Sequence, residues 1–352
     1  MAPTADVKKK RVAIYGKTKA EVRAKLTRAV AERDAGVVLE TQNPTIEKHL
    51  TRWLKNSVKM SVKQKTYESY EYLVHKHLIT TLGAKKLKSL TPDQVQDFYQ
   101  WKLDEGLSRR TVQLIHTTLS KALKSAVKQG IAPRNVAEAV DAPRPQKKDI
   151  QPLTSQQTKI FLNTVKGNRL EALYILAITT GLRQGELLGL RWEDVDLEGS
   201  VVRVRQQLTR TKAGLSFTSP KNGRGRNVAL MESTAEALRE HRKMQTDERQ
   251  KMGNLCEDMG LVFASTVGTP LHVRNITYRS FRPLLKQAGL SQIRFHDLRH
   301  TFATLCLTSG THPKIVQEML GHSDISVTLN VYSHCLPNMQ GKAVKTIEED
   351  LF

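Results

Sequence analysis

The sequence predicts an α+β multidomain protein, in which an all-α domain is followed by a mainly helical domain that holds a small antiparallel sheet. Three observations lead there. At 352 residues the chain exceeds the ~250–300 residues at which a single hydrophobic core stops growing. Over residues 43–143 apolar residues recur at spacings of three and four, with few strand signals. Beyond a Pro- and Lys-rich stretch the period drops briefly to two and then returns to helical.

Residues 1–42 are basic and read as a short strand (Val12, Ile14, Tyr15) leading into a helix with Val22, Leu26 and Val30 at spacing four. One strand and one helix cannot bury a core alone, so this piece is a remnant or a linker helix. Residues 43–143 form four helices. Ile46, Leu50, Trp53 and Leu54 make one apolar stripe; Tyr67, Tyr70, Leu73, Val74 and Leu78 make the next. Thr91-Pro92-Asp93-Gln94 reads as a capping box with proline at the first helical position, ahead of Val95, Phe98 and Trp101. Ser108 caps a long helix through Val112, Ile115, Leu119 and Leu123 that stops near Gly130. Residues 144–151, with Arg144, Pro145, Lys147 and Lys148, are a linker.

The second domain spans residues 152–340. Helices are expected over 155–165, 168–180 and 183–191. Val202, Val204 and Leu208 then alternate with Arg203, Arg205 and Gln207 as in a strand. Two further strands, near 215–218 and 228–230, flank the turn Lys221-Asn222-Gly223-Arg224, and helices resume from Thr234. The tail, 341–352, carries Val344, Ile347 and Leu351 at helical spacing.

Lys and Arg number 56 against 34 Asp and Glu, a formal charge of +22. Such a charge repels itself unless the partner is a polyanion, and nucleic acid is the first candidate. No apolar run approaches the ~18–20 residues of a membrane span. Lys8, Lys9, Lys10 and Arg11 are not followed by the apolar stretch of a secretory signal. Cys256, Cys306 and Cys335 are odd in number and far apart, which fits a reducing compartment without a disulfide framework or a cysteine zinc site. Membrane and secreted disulfide-rich classes are excluded, and a cytoplasmic, nucleoid-associated protein is expected. In the helical domain Lys63, Lys65, Arg109, Arg110, Lys121 and Lys124 lie mostly off the apolar stripes; as a set in so basic a chain they read as a DNA-facing surface.

Several short stretches carry chemistry. Arg183 sits between Gly181 and Gly185 at the start of a helix, where free N–H groups and positive partial charge suit a phosphate, and Glu186 lies on the same face to brace the guanidinium. His296 and Arg299, in His296-Asp297-Leu298-Arg299-His300, share one helix face. A helix ends at Gly321, His322 follows, Ser323 caps the next helix, and that helix delivers Tyr332.

Each stretch alone is ordinary. Together, the order Arg…Lys…His-x-x-Arg…Leu-Gly-His…Tyr and the phrases TTGLRQGELLGLRW, HDLRHTFAT and LGHSDISVTLNVYSH resemble the tyrosine recombinases of the phage-integrase class over about residues 43–340. The resemblance implies a SAM-like core-binding domain that clamps DNA, then a catalytic domain with Arg183 and Arg299 as its arginine pair. It further implies His296 and His322 as the two histidines, Lys221 as the sheet lysine (Lys212 lies nearby) and Tyr332 as the nucleophile. A homotetramer on attachment or core sites, sometimes with DNA-bending accessory proteins, follows from the same likeness. Longer integrases begin with a three-stranded arm-binding domain; residues 11–18 resemble its last strand, so the arm module is truncated or partial. The tail would pack on a neighbouring protomer or within its own.

The residue types suit that chemistry. Two forked guanidiniums neutralise the charge that develops on phosphoryl oxygens better than lysines would. A phenol must lose its proton, to His296 or a neighbouring base; Lys221 can give one to the departing 5′ oxygen, and His322 positions the reacting groups. A 3′-phosphotyrosyl link conserves bond energy, so resealing needs neither metal nor ATP. Gly16-Lys17-Thr18 lacks the earlier glycine of a phosphate loop, and Glu193, Asp194 and Asp196 read as loop and cap residues rather than metal ligands. Competing functions are a chromosome-dimer resolvase, strand relaxation as in type IB topoisomerases, and a catalytically silent DNA-binding regulator.

Overall fold

The computed structural model describes residues 15–34, 43–145, 151–221, 223, 225–332 and 337–352; within its helices the side chains of some residues, Tyr332 among them, lie outside the description. Val12, Ile14, Cys335 and most of the linker therefore lie outside the described residues. The chain divides into two compact units, Met1–Lys147 and Lys148–Phe352.

In the first unit, helix α1 (Lys19–Asp34) leaves Leu26 and Val30 exposed. Four longer helices follow. α2 (Ile46–Trp53) runs on through a π turn, Leu54–Val58, to Lys59–Ser61; α3 (Gln64–Leu73) runs through a second, Val74–Ile79, to Thr80–Leu82. α4 is Pro92–Asp104 and α5 Arg109–Lys128. Ile46, Leu50, Leu78, Phe98, Tyr99, Ile115 and Leu119 fill one core, while Tyr67 and Tyr70 are only partly buried at its edge. Thr91 caps α4 through the Gln94 amide at 3.4 Å, yet the Gln94 side-chain oxygen is buried without a partner, so only half of the expected capping box forms. Ser108 caps α5 through the Thr111 amide.

The second unit opens with α6 (Ser155–Thr164), α7 (Glu171–Thr180) and α8 (Gln184–Leu188). α8 stops three residues short of the predicted 191 because Gly189 caps it. Next come β1 (Val195–Asp196), β2 (Val201–Val204), β3 (Gln207–Thr211), β4 (Gly214–Thr218) and β5 (Arg226–Ala229). The strands form an antiparallel sheet of order β1-β2-β5 and a separate β3-β4 hairpin. The alternation from Val202 to Leu208, read as one strand, is thus two strands of different sheets. Lys221 likewise does not cap a hairpin: β4 pairs with β3 and β5 with β2, so its loop connects the sheets.

Helices then take over. α9 is Glu232–Met252; α10 runs from Val273–Asn275 through a π turn, Ile276–Phe281, to Arg282–Gln287. α11 (Asp297–Thr308), α12 (Pro313–Leu320), α13 (Ile325–Tyr332) and α14 (Pro337–Leu351) complete the unit. The Asp324 carboxylate, rather than Ser323, accepts the Ser326 amide at 2.8 Å at the start of α13. Phe161, Tyr174, Phe281 and Phe295 pack ring against ring in the core. Val344, Ile347 and Leu351 on α14 are exposed. The predicted fold class stands, with the sheet split in two.

α7 ends at Gly181 in the left-handed conformation (φ +62°), where a Cβ would lie 2.5 Å from Phe302 on α11 and 2.8 Å from Leu320 on α12. Strain and overpacking add, so Gly181→Ala is expected to cost about 3 kcal/mol. A urea midpoint equal to that of the unsubstituted protein would contradict this packing.

Candidate active site

α12 leaves its last carbonyls without intrahelical partners and with negative partial charge. Three guanidiniums from distant segments take three consecutive carbonyls. Arg226 Nε, at the start of β5, donates to Met319 O at 2.8 Å. Arg299 Nη2, in the first turn of α11, donates to Leu320 O at 2.7 Å. Arg183 Nη2, at the N-cap of α8, donates to Gly321 O at 3.0 Å. Arg299 also reaches back to Gly181 O at 2.8 Å, tying the end of α7 to the end of α12. Gly321 is left-handed (φ +64°), and a Cβ there would sit 3.0 Å from Arg226 Nη1.

Beneath the cluster lies Glu186, 1% exposed. It accepts the Arg183 amide and Nη1, both at 2.9 Å, and a fork from Arg226 at 3.0 and 2.7 Å. Burial alone would raise its carboxyl, but the hydrogen bonds and charges of Arg226 and Arg183 outweigh burial and hold it at about 2. Arg226 was not singled out in the sequence. The signal was present: at period two it shares the inward side of β5 with buried Val228, and a cation turned inward requires a carboxylate. Its partner is 40 residues earlier, beyond the reach of local spacing.

Two more elements meet here. His322 follows Gly321; its Nδ1 pairs with the buried Thr328 hydroxyl of α13 at 2.9 Å, and its carbonyl accepts from Gln317 at 2.9 Å. Burial, then the charges of Arg299 and Arg183, push its imidazole down to about 4. His296, at the N-cap of α11, is lowered by burial and by Arg299, against the opposing charge of Asp297. The His300 ring stands edge-on to that of His296 at 5.1 Å, and burial with His296 pushes it to about 4. At neutral pH these imidazoles are uncharged and able to accept protons. α13 packs on α12 and ends at Tyr332, ten residues beyond His322.

The structure thus gathers Arg183, Glu186, Arg299 and His322 around the turn at the end of α12, and places His296 on the helix that bears Arg299. Lys221 is exposed in the loop between β4 and β5. In the first unit Lys63, Lys65, Arg109, Arg110, Lys121 and Lys124 are all exposed. At ~100° per residue Arg110, Lys121 and Lys124 share one face of α5. Lys121 donates to the Tyr70 hydroxyl of α3 at 2.7 Å. Lys63 and Lys65 lie at the start of α3, Lys65 within 3.9 Å of Glu68, and Arg109 lies beside the α5 face. Asp196, read as a loop residue, ends strand β1, where it accepts from the Gly199 amide and from Arg203; Asp194, in the 3-10 turn before β1, pairs with Arg205.

Residues 151–339 match the phage integrase family and residues 45–103 match its N-terminal SAM-like domain. The chain belongs to the phage integrase family. It is a tyrosine recombinase, a DNA strand-cleaving and rejoining enzyme. A XerC-like tyrosine recombinase of Caldanaerobacter subterraneus subsp. tengcongensis is 32% identical, over 96% of this chain and 91% of that protein. An integrase of Streptomyces ambofaciens is also 32% identical, over 90% and 83%. The Tn1549 transposon integrase, solved with a circular intermediate DNA, superposes with a TM-score of 0.72 at 22% identity, covering 86% of this chain and 99% of that one. These structural likenesses are of fold.

The depressed imidazoles have a measurable consequence. A histidine whose folded value lies below its ordinary 6.5 is protonated first in the unfolded chain, so its stabilisation is complete above about 6.5 and is lost as pH falls toward about 4. Melting temperature is expected to drop across that window, and His322→Asn to flatten the drop; identical slopes for both proteins would count against a neutral, charge-flanked His322.

Proposed function

We propose that this phage-integrase family member integrates and excises a mobile element by joining attachment sites on two DNA duplexes. The observation that carries the reading is the set of guanidiniums gathered on consecutive carbonyls at the end of α12, with uncharged histidines beside them and Tyr332 closing the next helix. Relatives named integrases, including that of Streptomyces ambofaciens and the ICEBs1 integrase of Bacillus subtilis, support the mobile-element reading over topoisomerase-like relaxation or a silent regulator.

In this reading Arg183 and Arg299 hold the scissile phosphate and offset the charge that grows on its non-bridging oxygens. The Tyr332 phenolic oxygen forms a bond to phosphorus and its proton passes to His296. The bond to the 5′ oxygen breaks, and Lys221 supplies the proton that the departing oxygen takes up. His322 keeps phosphate and α13 in register through its bond to Thr328. The 3′-phosphotyrosyl ester is then attacked by the 5′ hydroxyl of the partner strand, which reverses every proton transfer. Four protomers hold the two duplexes through a four-way junction, and accessory bending proteins set the direction. The six basic residues of the first unit bind backbone phosphates, and the enzyme works at the nucleoid.

On a nicked core duplex taken from the repeats that flank the element, the wild-type protein is expected to accumulate a covalent protein–DNA adduct. Tyr332→Phe should form none while binding the duplex as well; adduct formation by that variant would overturn the reading. The log–log salt dependence of binding should be steep, and Lys121→Ala with Lys124→Ala should lower its slope by about 2, the counterions released by two phosphate contacts.

A further inference from the structure

We infer that Arg226 is a positioning residue for strand cleavage, which holds the Lys221 loop to the Arg183–Glu186 pair and to the end of α12. The inference rests on the reading of Lys221 as proton donor to the leaving oxygen. Arg226 is five residues beyond Lys221, where the loop returns to the sheet opposite Val204 of β2. At its other end the loop is held by Gln207, whose side-chain amide donates to Ser219 O at 3.1 Å. Backbone pairing therefore fixes the loop's exit to the β1-β2-β5 sheet. The Arg226 side chain joins that sheet to the site.

All three nitrogens of Arg226 already donate to protein: Nε to Met319 O at 2.8 Å, Nη1 and Nη2 to the two Glu186 oxygens at 3.0 and 2.7 Å. Its side chain is 11% exposed. Three of its five N–H donors are thus committed to two other elements, which makes Arg226 a tie between them. It links three things: the loop bearing Lys221, the carboxylate under Arg183, and the turn before His322. Lysine cannot reproduce this, because one ammonium cannot span a forked carboxylate and a carbonyl on another helix.

The test separates the leaving-group step from phosphate activation. Full-length protein is assayed in single turnover on a nicked core duplex whose scissile phosphate carries either the natural 5′ oxygen or a bridging 5′ sulfur. When the P–S bond breaks, the sulfur departs with its electron pair as a thiolate and needs no proton. Lys221→Ala and Arg226→Ala should each slow cleavage of the oxygen ester by about 10²-fold or more, the typical contribution of a general acid. Both should cleave the sulfur ester close to the wild-type rate, whereas Arg183→Ala should be slow on both. If Arg226→Ala does not fold, Arg226→Lys, which retains the charge beside Glu186, carries the same comparison. Rescue of Lys221→Ala without rescue of the Arg226 variant, or unimpaired cleavage of the oxygen ester by the Arg226 variant, would overturn the inference. Failure of sulfur to rescue Lys221→Ala would instead overturn the role of Lys221 beneath it.

Discussion

The site depends on the exposed end of one short helix. α12 finishes with carbonyls that its own hydrogen-bond ladder cannot use, and three arginines from three separate segments of the chain, Arg183, Arg226 and Arg299, converge on them. Each arginine alone satisfies one acceptor. Jointly they tie the starts of α8, α11 and β5 to one turn, so the candidate site residues are ordered by the same bonds that complete the helix. Arg299 adds a second carbonyl, Gly181 O, so the left-handed ends of α7 and α12 are fixed relative to each other.

That convergence explains the electrostatics. Among Arg183, Arg226, Arg299 and Glu186, three cations face one carboxylate, which leaves two formal positive charges in a largely dry place. Glu186 stays ionised because two of the arginines need it, and its removal would leave them buried against each other. Burial first, and then the neighbouring arginine charges, keep His322 and His296 uncharged at neutral pH. A neutral imidazole beside guanidiniums can receive a phenolic proton, which an imidazolium could not.

How much of this was legible in the sequence follows from the range of each interaction. Helices α2 to α5 were readable because their stripes and the caps Thr91 and Ser108 are local. Arg183, Arg299 and His322 stood out because glycines and histidines mark the helix ends where they lie. The strands were harder. Alternation continues from Val202 to Leu208 although the chain changes sheets at Arg205 and Gln206, since period two records inward and outward facing and says nothing of which partner is paired. Arg226 was passed over for a related reason, as its meaning lies in a carboxylate on another element. Ser323 was preferred to Asp324 as a cap because both residue types suit the position and only geometry selects between them.

The arginines also differ in what they have left to give. Arg226 spends its nitrogens on Glu186 and Met319, and so serves the architecture. Arg183 is bound to the same carboxylate and to Gly321 O, but its side chain is 21% exposed, about twice the exposure of Arg226. A guanidinium that is held on one edge and open on another is pre-organised: its direction is set before a phosphate arrives, and little rotamer entropy remains to be lost on binding. The carbonyls at the end of α12 and the Glu186 carboxylate together set that direction, because each holds a different edge of the same guanidinium.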